Sequence, residues 1–307
     1  MIRRILKVFG IAFVVGLAAI AALLGEAHWQ VRQVEPALPT GQDIAAALDN
    51  GPDPVSISYI NTATQVSPLG AIGHVGVLIE WDSGKRLLID TGMPAEQAVA
   101  FGKPMEQILD AEPAQTFGAI DEQIGPAVNT IGAIAFTHLH SDHTDGLTGI
   151  CAAQHSPATV FQTSLQRDEQ NYGTVGGEKT IATSACGRVV LGAETVKLVP
   201  GYSGIVAIAA GGHTAGSTIY ATRRNGKIWV FAGDITNDMH SLHNNIPKPW
   251  LYSTFIVPEH TRRQEQLRLW LEALDQQADF VVLVAHDIDA WKSSEIPAWR
   301  KGVQRKT

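Results

Sequence analysis

Apolar residues in this chain come in short runs closed by turn-forming residues, and one such plan occurs twice. Residues 76–92, "GVLIEWDSGKRLLIDTG", read as an apolar run, a turn with Gly84, a second apolar run and then Asp90. Residues 217–234, "STIYATRRNGKIWVFAGD", repeat that order, with the turn at Asn225-Gly226 and Asp234 at the end. Asn-Gly accepts the positive φ of a tight turn, so each stretch predicts a β-hairpin. Between them lie helix-compatible sequence at about 95–110 and 120–130, a strand in "GAIAFTH", and a helix from near Asp145, which would cap it. Further on, "PEHTRRQEQLRLWLEALDQQ" places Leu267, Trp270, Leu271 and Leu274 on one helical stripe, and "DFVVLVAH" reads as a buried strand ending at His286. Two similar halves of hairpins and flanking helices predict an α/β fold of four layers, an αββα sandwich. Residues 166–180, polar and Gly-rich, read as a loop. Residues 235–257, with Pro247, Pro249, Trp250 and Tyr252, read as an irregular excursion.

The N-terminus departs from this plan. "MIRRILK" carries Arg3, Arg4 and Lys7 without an acid, and Val8 to Gly25 has no charge. A basic flank before an apolar run predicts a signal peptide or an N-terminal membrane anchor over residues 1–27. The small residues around Gly25-Glu26-Ala27 tilt the expectation slightly towards cleavage. Either way, residues from about His28 onward are expected to be exported, to the periplasm. Residues 28–54 read as a linker or edge segment with one short helical piece, and residues 55–307 as one catalytic domain.

Composition and charge narrow the function classes. The 307 residues are 45% hydrophobic and 17% charged, enough for a large core. Of the 23 basic and 30 acidic residues, three basic and one acidic precede His28, so the exported part carries a net charge of −9 against −7 for the whole chain. An acidic body with no Lys/Arg cluster argues against a nucleic-acid partner, and the membrane would be met only through the N-terminal segment. Two cysteines exclude a disulfide scaffold and a CxxC site. Export makes a Cys151–Cys186 disulfide possible, with two buried thiols as the equal alternative.

The chemistry is concentrated in "THLHSDHTDG", residues 137–146. In extended backbone, side chains two apart share a face, so His138 and His140 point together, and Asp142 and His143 follow within one turn. Such a cluster is costly to bury without a cation, and imidazole and carboxylate are ligands for zinc and similar ions. His213 in "GGHTAGS", Asp234 and His286 stand at the ends of apolar runs, where a sheet projects site residues. Five histidines and two aspartates suffice for two metal ions. Thr214, Gly216 and Ser217 shape the turn that presents His213. Asp90 either orients a ligand histidine or caps its own turn.

In order, "LLIDTG", "THLHSDHTDG", "GGHTAGS", "FAGD" and "VAHD" resemble the metallo-β-lactamase superfamily over roughly residues 55–300. The resemblance implies that His138, His140 and His213 hold one metal, that Asp142, His143 and His286 hold a second, and that Asp234 bridges them. It implies two divalent ions sharing an activated water, with zinc as the default and iron, manganese or cobalt fitting the same donors. Asp142 would orient that water and take its proton. The pattern is most similar to the lactonase-like branch, whose small-molecule substrates are opened at an ester or lactone carbonyl. The main alternative is a β-lactamase. An aryl sulfatase, a phosphodiesterase or a non-catalytic binding protein of the same fold are the others. Lactonases of this branch place a tyrosine shortly after the bridging aspartate, where this chain has Ile235, Thr236 and Asn237. Tyr172 or Tyr252 could supply a phenol instead. Asn237, Tyr172, Trp250 and Tyr252 are the candidate substrate contacts, while His240 and His243 read as solvated loop residues.

Overall fold

A computed structural model describes residues 2–49, 51–68 and 70–300. Seven strands form one sheet: β1 (Ser56–Ser67), β2 (Gly70–Glu80), β3 (Arg86–Ile89), β4 (Gln115–Thr116), β5 (Ile131–Ala135), β6 (Thr159–Thr163) and β7 (Gly187–Leu191), in the order β4-β1-β2-β3-β5-β6-β7. Five form the other: β8 (Lys197–Val199), β9 (Tyr202–Ala209), β10 (Thr218–Arg224), β11 (Lys227–Phe231) and β12 (Phe280–Leu283), in the order β12-β11-β10-β9-β8. The α-helices are α1 (Ile2–Arg32), α2 (Gly41–Leu48), α3 (Ala95–Leu109), α4 (Ile120–Ile124), α5 (Ser141–Thr144), α6 (Leu147–Ala153), α7 (Ser164–Asp168), α8 (Val175–Thr183), α9 (Met239–His243), α10 (Thr261–Asp275) and α11 (Ile288–Ser293).

Both expected hairpins form. β2 pairs antiparallel with β3 and β10 with β11, and Asn225 and Gly226 take φ of 53° and 74° at the second turn. Each hairpin then runs beside a parallel partner, β3 along β5 and β11 along β12. The layers follow from alternation along each strand. Leu87 and Ile89 join Tyr220, Trp229 and Phe231 in the core between the sheets. Leu88 faces the other way, onto Ile120, Ile124, Leu147 and Ile150 of α4 and α6. Ile219, Ile228 and Val230 face outward in the second sheet, onto Leu48 of α2 and Leu267 and Leu271 of α10. Strands buried on both faces must be apolar throughout, which is why their sequence reads as continuous runs. The result is the expected αββα sandwich.

Three local expectations change. Residues 166–180 are not a loop, because α7 and α8 occupy most of the stretch. Thr163 caps α7 through a reciprocal bond with Gln166, and Gly177 lets α8 pack on Leu139, whose carbonyl oxygen would lie 2.3 Å from a Cβ at that position. Gly177 serves close helix packing rather than chain freedom. The 235–257 excursion holds α9, capped by Asp238, and one π-helical turn at Tyr252–Ile256. Asp145 does not cap the following helix: α6 begins at Leu147 after Gly146, whose Cβ would meet the Thr91 carbonyl oxygen at 2.2 Å.

Cys151 and Cys186 are bonded, joining α6 to the start of β7. At the N-terminus, α1 runs without a break past the expected boundary at residue 27 to Arg32, and its last turns pack on the body, with Ala27 and Val31 buried.

Candidate metal centre

The site lies where β3, β5, β11 and β12 end side by side. Asp90 follows β3 in a left-handed conformation (φ 59°) that aims its carboxylate at the neighbouring strand end. Asp90 Oδ1 accepts from the Thr137 amide at 2.8 Å, and Oδ2 accepts from the Thr137 hydroxyl at 2.7 Å and lies 2.9 Å from His143 Nδ1. The Thr91 amide and hydroxyl both donate to the His143 carbonyl, at 2.7 and 2.8 Å. The end of β3 thereby holds α5 and turns His143 Nε2 inward. His213 is presented by a tight turn in which the Thr214 amide donates to Ser217 Oγ (2.9 Å), and Gly216 passes close against Gln166.

Seven donors converge there in two groups, His138, His140 and His213 in one and Asp142, His143, Asp234 and His286 in the other, with ligand atoms in each group within 4.8 Å of one another. His140 Nδ1 lies 2.9 Å from His138 Nε2 and 3.1 Å from His213 Nε2. Asp142 Oδ2 lies 3.6 Å from His143 Nε2 and 3.5 Å from His286 Nε2. Asp234 stands between the groups. Its Oδ2 is 2.8 Å from His286 Nε2, 3.7 Å from His138 Nε2 and 3.6 Å from His213 Nε2, and its Oδ1 is 3.3 Å from His143 Nε2.

The electrostatics suit cations. Burial first, then the neighbouring imidazoles, push His138 well below the ordinary histidine range, and burial and His213 push His140 down to about 3. These rings are neutral at physiological pH, the state in which imidazole binds metal. Burial alone would raise Asp142 and Asp234, yet His143 and His286 hold both below the usual carboxylate range. Burial lowers His143 and His286, but the surrounding aspartates outweigh it and raise both. His143 Nε2 and Asp234 Oδ1 are buried and make no hydrogen bond. Buried polar atoms left without a hydrogen bond are rare and costly, and a cation between these two, which lie 3.3 Å apart, removes the cost. The residues present therefore fit divalent metal ions.

A second layer of contacts fixes these donors. His213 Nδ1 is 2.6 Å from Glu259 Oε1, which also accepts from Lys248 Nζ at 3.0 Å and Gln264 Nε2 at 3.2 Å; Glu259 Oε2 accepts from Ser253 Oγ at 2.7 Å. Lys248 Nζ donates in addition to the Asp234 carbonyl at 2.8 Å. Burial would raise Glu259, but Lys248 and His213 take it down to about 2. His286 Nδ1 is 2.8 Å from the Gly73 carbonyl, and buried His74, on β2, puts Nδ1 3.3 Å from Asp142 Oδ2. Sequence reasoning missed Glu259, Lys248 and His74. No spacing rule marks them, although a histidine inside the apolar run "GAIGHVGVLIE" was a visible signal. Replacing Asp90 with alanine frees His143 to rotate, and a 10–100-fold loss of metal affinity is expected by zinc titration; unchanged affinity would reduce Asp90 to a turn residue.

The candidate substrate contacts separate. Lys248 Nζ lies over the Tyr252 ring, 5.5 Å from its centre, and burial first, then Glu259, Asp234 and Asp142, raise the Tyr252 phenol well above the ordinary value. The Tyr172 hydroxyl is engaged elsewhere, donating to the Phe255 and Ile256 carbonyls at 3.4 Å. Trp250 is exposed and meets Phe255 edge to face, and Asn237 is half-buried ahead of α9. His240 and His243 are exposed, and His243 pairs with Asp275 at 2.9 Å.

Several solved structures share this architecture. An N-acyl homoserine lactone hydrolase with the product N-hexanoyl-L-homoserine bound at its catalytic metal centre matches at a TM-score of 0.58 and 14% identity, over 80% of this chain and 98% of the other. A quorum-quenching N-acyl homoserine lactone lactonase matches at 0.59 and 16%, over 80% and 97%. A probable metal-dependent hydrolase from Staphylococcus aureus matches at 0.53 and 19%, over 76% and 89%. At these identities the likeness is one of fold. No curated protein matches the chain by sequence. The family model of the metallo-beta-lactamase superfamily matches residues 70–286, from the start of β2 to the last of the seven donors, and the chain belongs to that superfamily.

Proposed function

We propose that this chain is a binuclear metal-dependent hydrolase that opens an ester- or lactone-type carbonyl. The observation that carries the reading is the convergence of seven buried or near-buried donors around His143 Nε2 and Asp234 Oδ1, two buried atoms 3.3 Å apart that make no hydrogen bond. His138 Nε2, His140 Nδ1 and His213 Nε2 would hold one ion and Asp142, His143 and His286 the other, with Asp234 shared. Two divalent ions, zinc by default for this donor set, would supply Lewis acidity and make a water nucleophilic near neutral pH. The remaining steps belong to the chain. Asp142 Oδ2 orients the attacking water and takes its proton, with His74 Nδ1 beside the carboxylate. The raised Tyr252 phenol stays protonated and can donate to the substrate carbonyl. Its ring lies under Lys248 Nζ, which donates to the Asp234 carbonyl, in a chain that has Ile235, Thr236 and Asn237 directly after Asp234. Fold likeness to lactone hydrolases supports a lactone over the β-lactam, sulfate and phosphate alternatives.

We infer separately that the catalytic body lies outside the cytoplasm, carried by α1 as an uncleaved anchor. The apolar stretch of α1 is exposed, its basic flank of Arg3, Arg4 and Lys7 suits the cytoplasmic side, and the Cys151–Cys186 bond suits an oxidising compartment. The test is metal analysis of the purified full chain, then hydrolysis assays on an acyl lactone, a penicillin, a phosphodiester and an aryl sulfate. About two ions per chain and lactone opening are expected. No metal after remetallation sinks the hydrolase reading, and penicillin opening without lactone opening reverses the substrate choice.

A further inference from the structure

The end of α1 meets the rim of the metal site. None of the apolar window of this helix is buried, and Phe9, Phe13, Leu17, Ile20 and Leu23 are among its exposed side chains. Within a few residues the helix becomes covered: Ala27 and Val31 are buried, His28 Nε2 lies 3.0 Å from the Thr254 carbonyl, and Gln30 Nε2 donates to the Gln170 carbonyl at 2.6 Å. Those partners flank the site. The segment of Thr254 also carries Lys248 and Tyr252, and Tyr172 joins it to the segment after Gln170. There Gly173 passes so near His140 that a Cβ would lie 3.2 Å from Nε2.

This rim turns large apolar side chains outward. Ser253 points in, to Glu259, while Trp250, Leu251, Phe255 and Ile256 point out, and Trp29 does the same beside His28; their exposures run from 50% at Phe255 to 68% at Trp29. The uncharged run ends at Gly25. At about 1.5 Å rise per residue, Thr254 is docked about 5 Å beyond that end. The headgroup layer is about 5–8 Å deep on each side of the hydrocarbon, and tryptophan is enriched there. We infer that Trp29, Trp250, Leu251, Phe255 and Ile256 form a seat in the headgroup layer of the bilayer that α1 crosses, so that the rim of the metal site rests on the membrane surface. The inference rests on α1 being an uncleaved anchor and does not depend on the reaction catalysed.

The test uses the full chain in phosphatidylcholine vesicles, with a nitroxide at W250C or F255C. Both native cysteines are bonded to each other, so the label goes to the introduced thiol. A label at S83C, in the exposed β2–β3 turn at the sheet end away from Asp90, is the control. Labels at 250 and 255 should collide more often with oxygen than with an aqueous nickel chelate, and the label at 83 should show the reverse. Labels at 250 and 255 as open to nickel as the control would overturn the seat. Shielding from both reagents would overturn it too, since it means that protein rather than lipid covers the rim. Intact mass of the membrane-extracted chain should retain residues 1–27; a chain starting near His28 removes the anchor and the seat with it. Because the readout is collision and mass, a failed hydrolase reading leaves it untouched.

Discussion

Asp142→Asn should lower turnover by about 10²–10⁴-fold, the usual range for losing a positioned proton acceptor. Asparagine keeps the shape of the side chain but cannot take a proton. Asp142 is buried, and His143, His74 and His286 hold it ionised well into acid, so the wild-type carboxylate is available across the physiological range. The His74 ring at 3.3 Å fixes one of its oxygens from the side of β2, which gives the proton acceptor a defined position. Two measurements separate its roles. Metal analysis reports the ligand role, and kcat at saturating metal reports the proton role. Turnover within a few-fold of wild type in a fully metal-loaded variant would remove Asp142 from the mechanism.

The sequence made the donors readable because they sit at the ends of apolar runs. An apolar run that must be a buried strand, stopped by an ionisable residue, leaves few structural reasons for that residue to be there. His138, Asp234 and His286 all have this form, and the hairpin turn at Asn225-Gly226 fixed the frame around them. What supports the donors was harder to read. Glu259 stands ahead of α10 and Lys248 lies in the irregular excursion, yet they meet His213 and Asp234 across 46 and 14 residues of chain. Such contacts follow from packing, which local periodicity does not encode. The Gly-rich 166–180 stretch misled for a related reason: Gly177 is there for a close approach to Leu139, a tertiary demand that composition alone turns into a loop. At the N-terminus, charge and hydropathy marked the apolar run but not where the helix stops, because the burial of Ala27 and Val31 depends on the body they dock against.

Glu259→Ala should cost about 3–5 kcal/mol of stability, because it leaves the buried Lys248 ammonium without its charged partner. The pair is only 3% exposed on either side, so solvent cannot replace the lost carboxylate. Metal affinity at the His138–His140–His213 group should fall by about 10–100-fold as well, since His213 loses the contact that fixes its ring. The two effects come apart in Lys248→Met with Glu259→Gln. Removing both charges relieves the stranded ammonium and should recover much of the stability, whereas the neutral amide restores only part of the hold on His213. Acid gives a further check. The folded carboxyl titrates near 2, against an ordinary value of 4.5, so its contribution is complete above 4.5 and is lost as pH falls through 2. The stability gap between wild type and Glu259→Ala should therefore narrow in acid. A gap that stays constant from pH 6 to pH 3 would mean that the lysine–carboxylate pair does not hold this side of the site together.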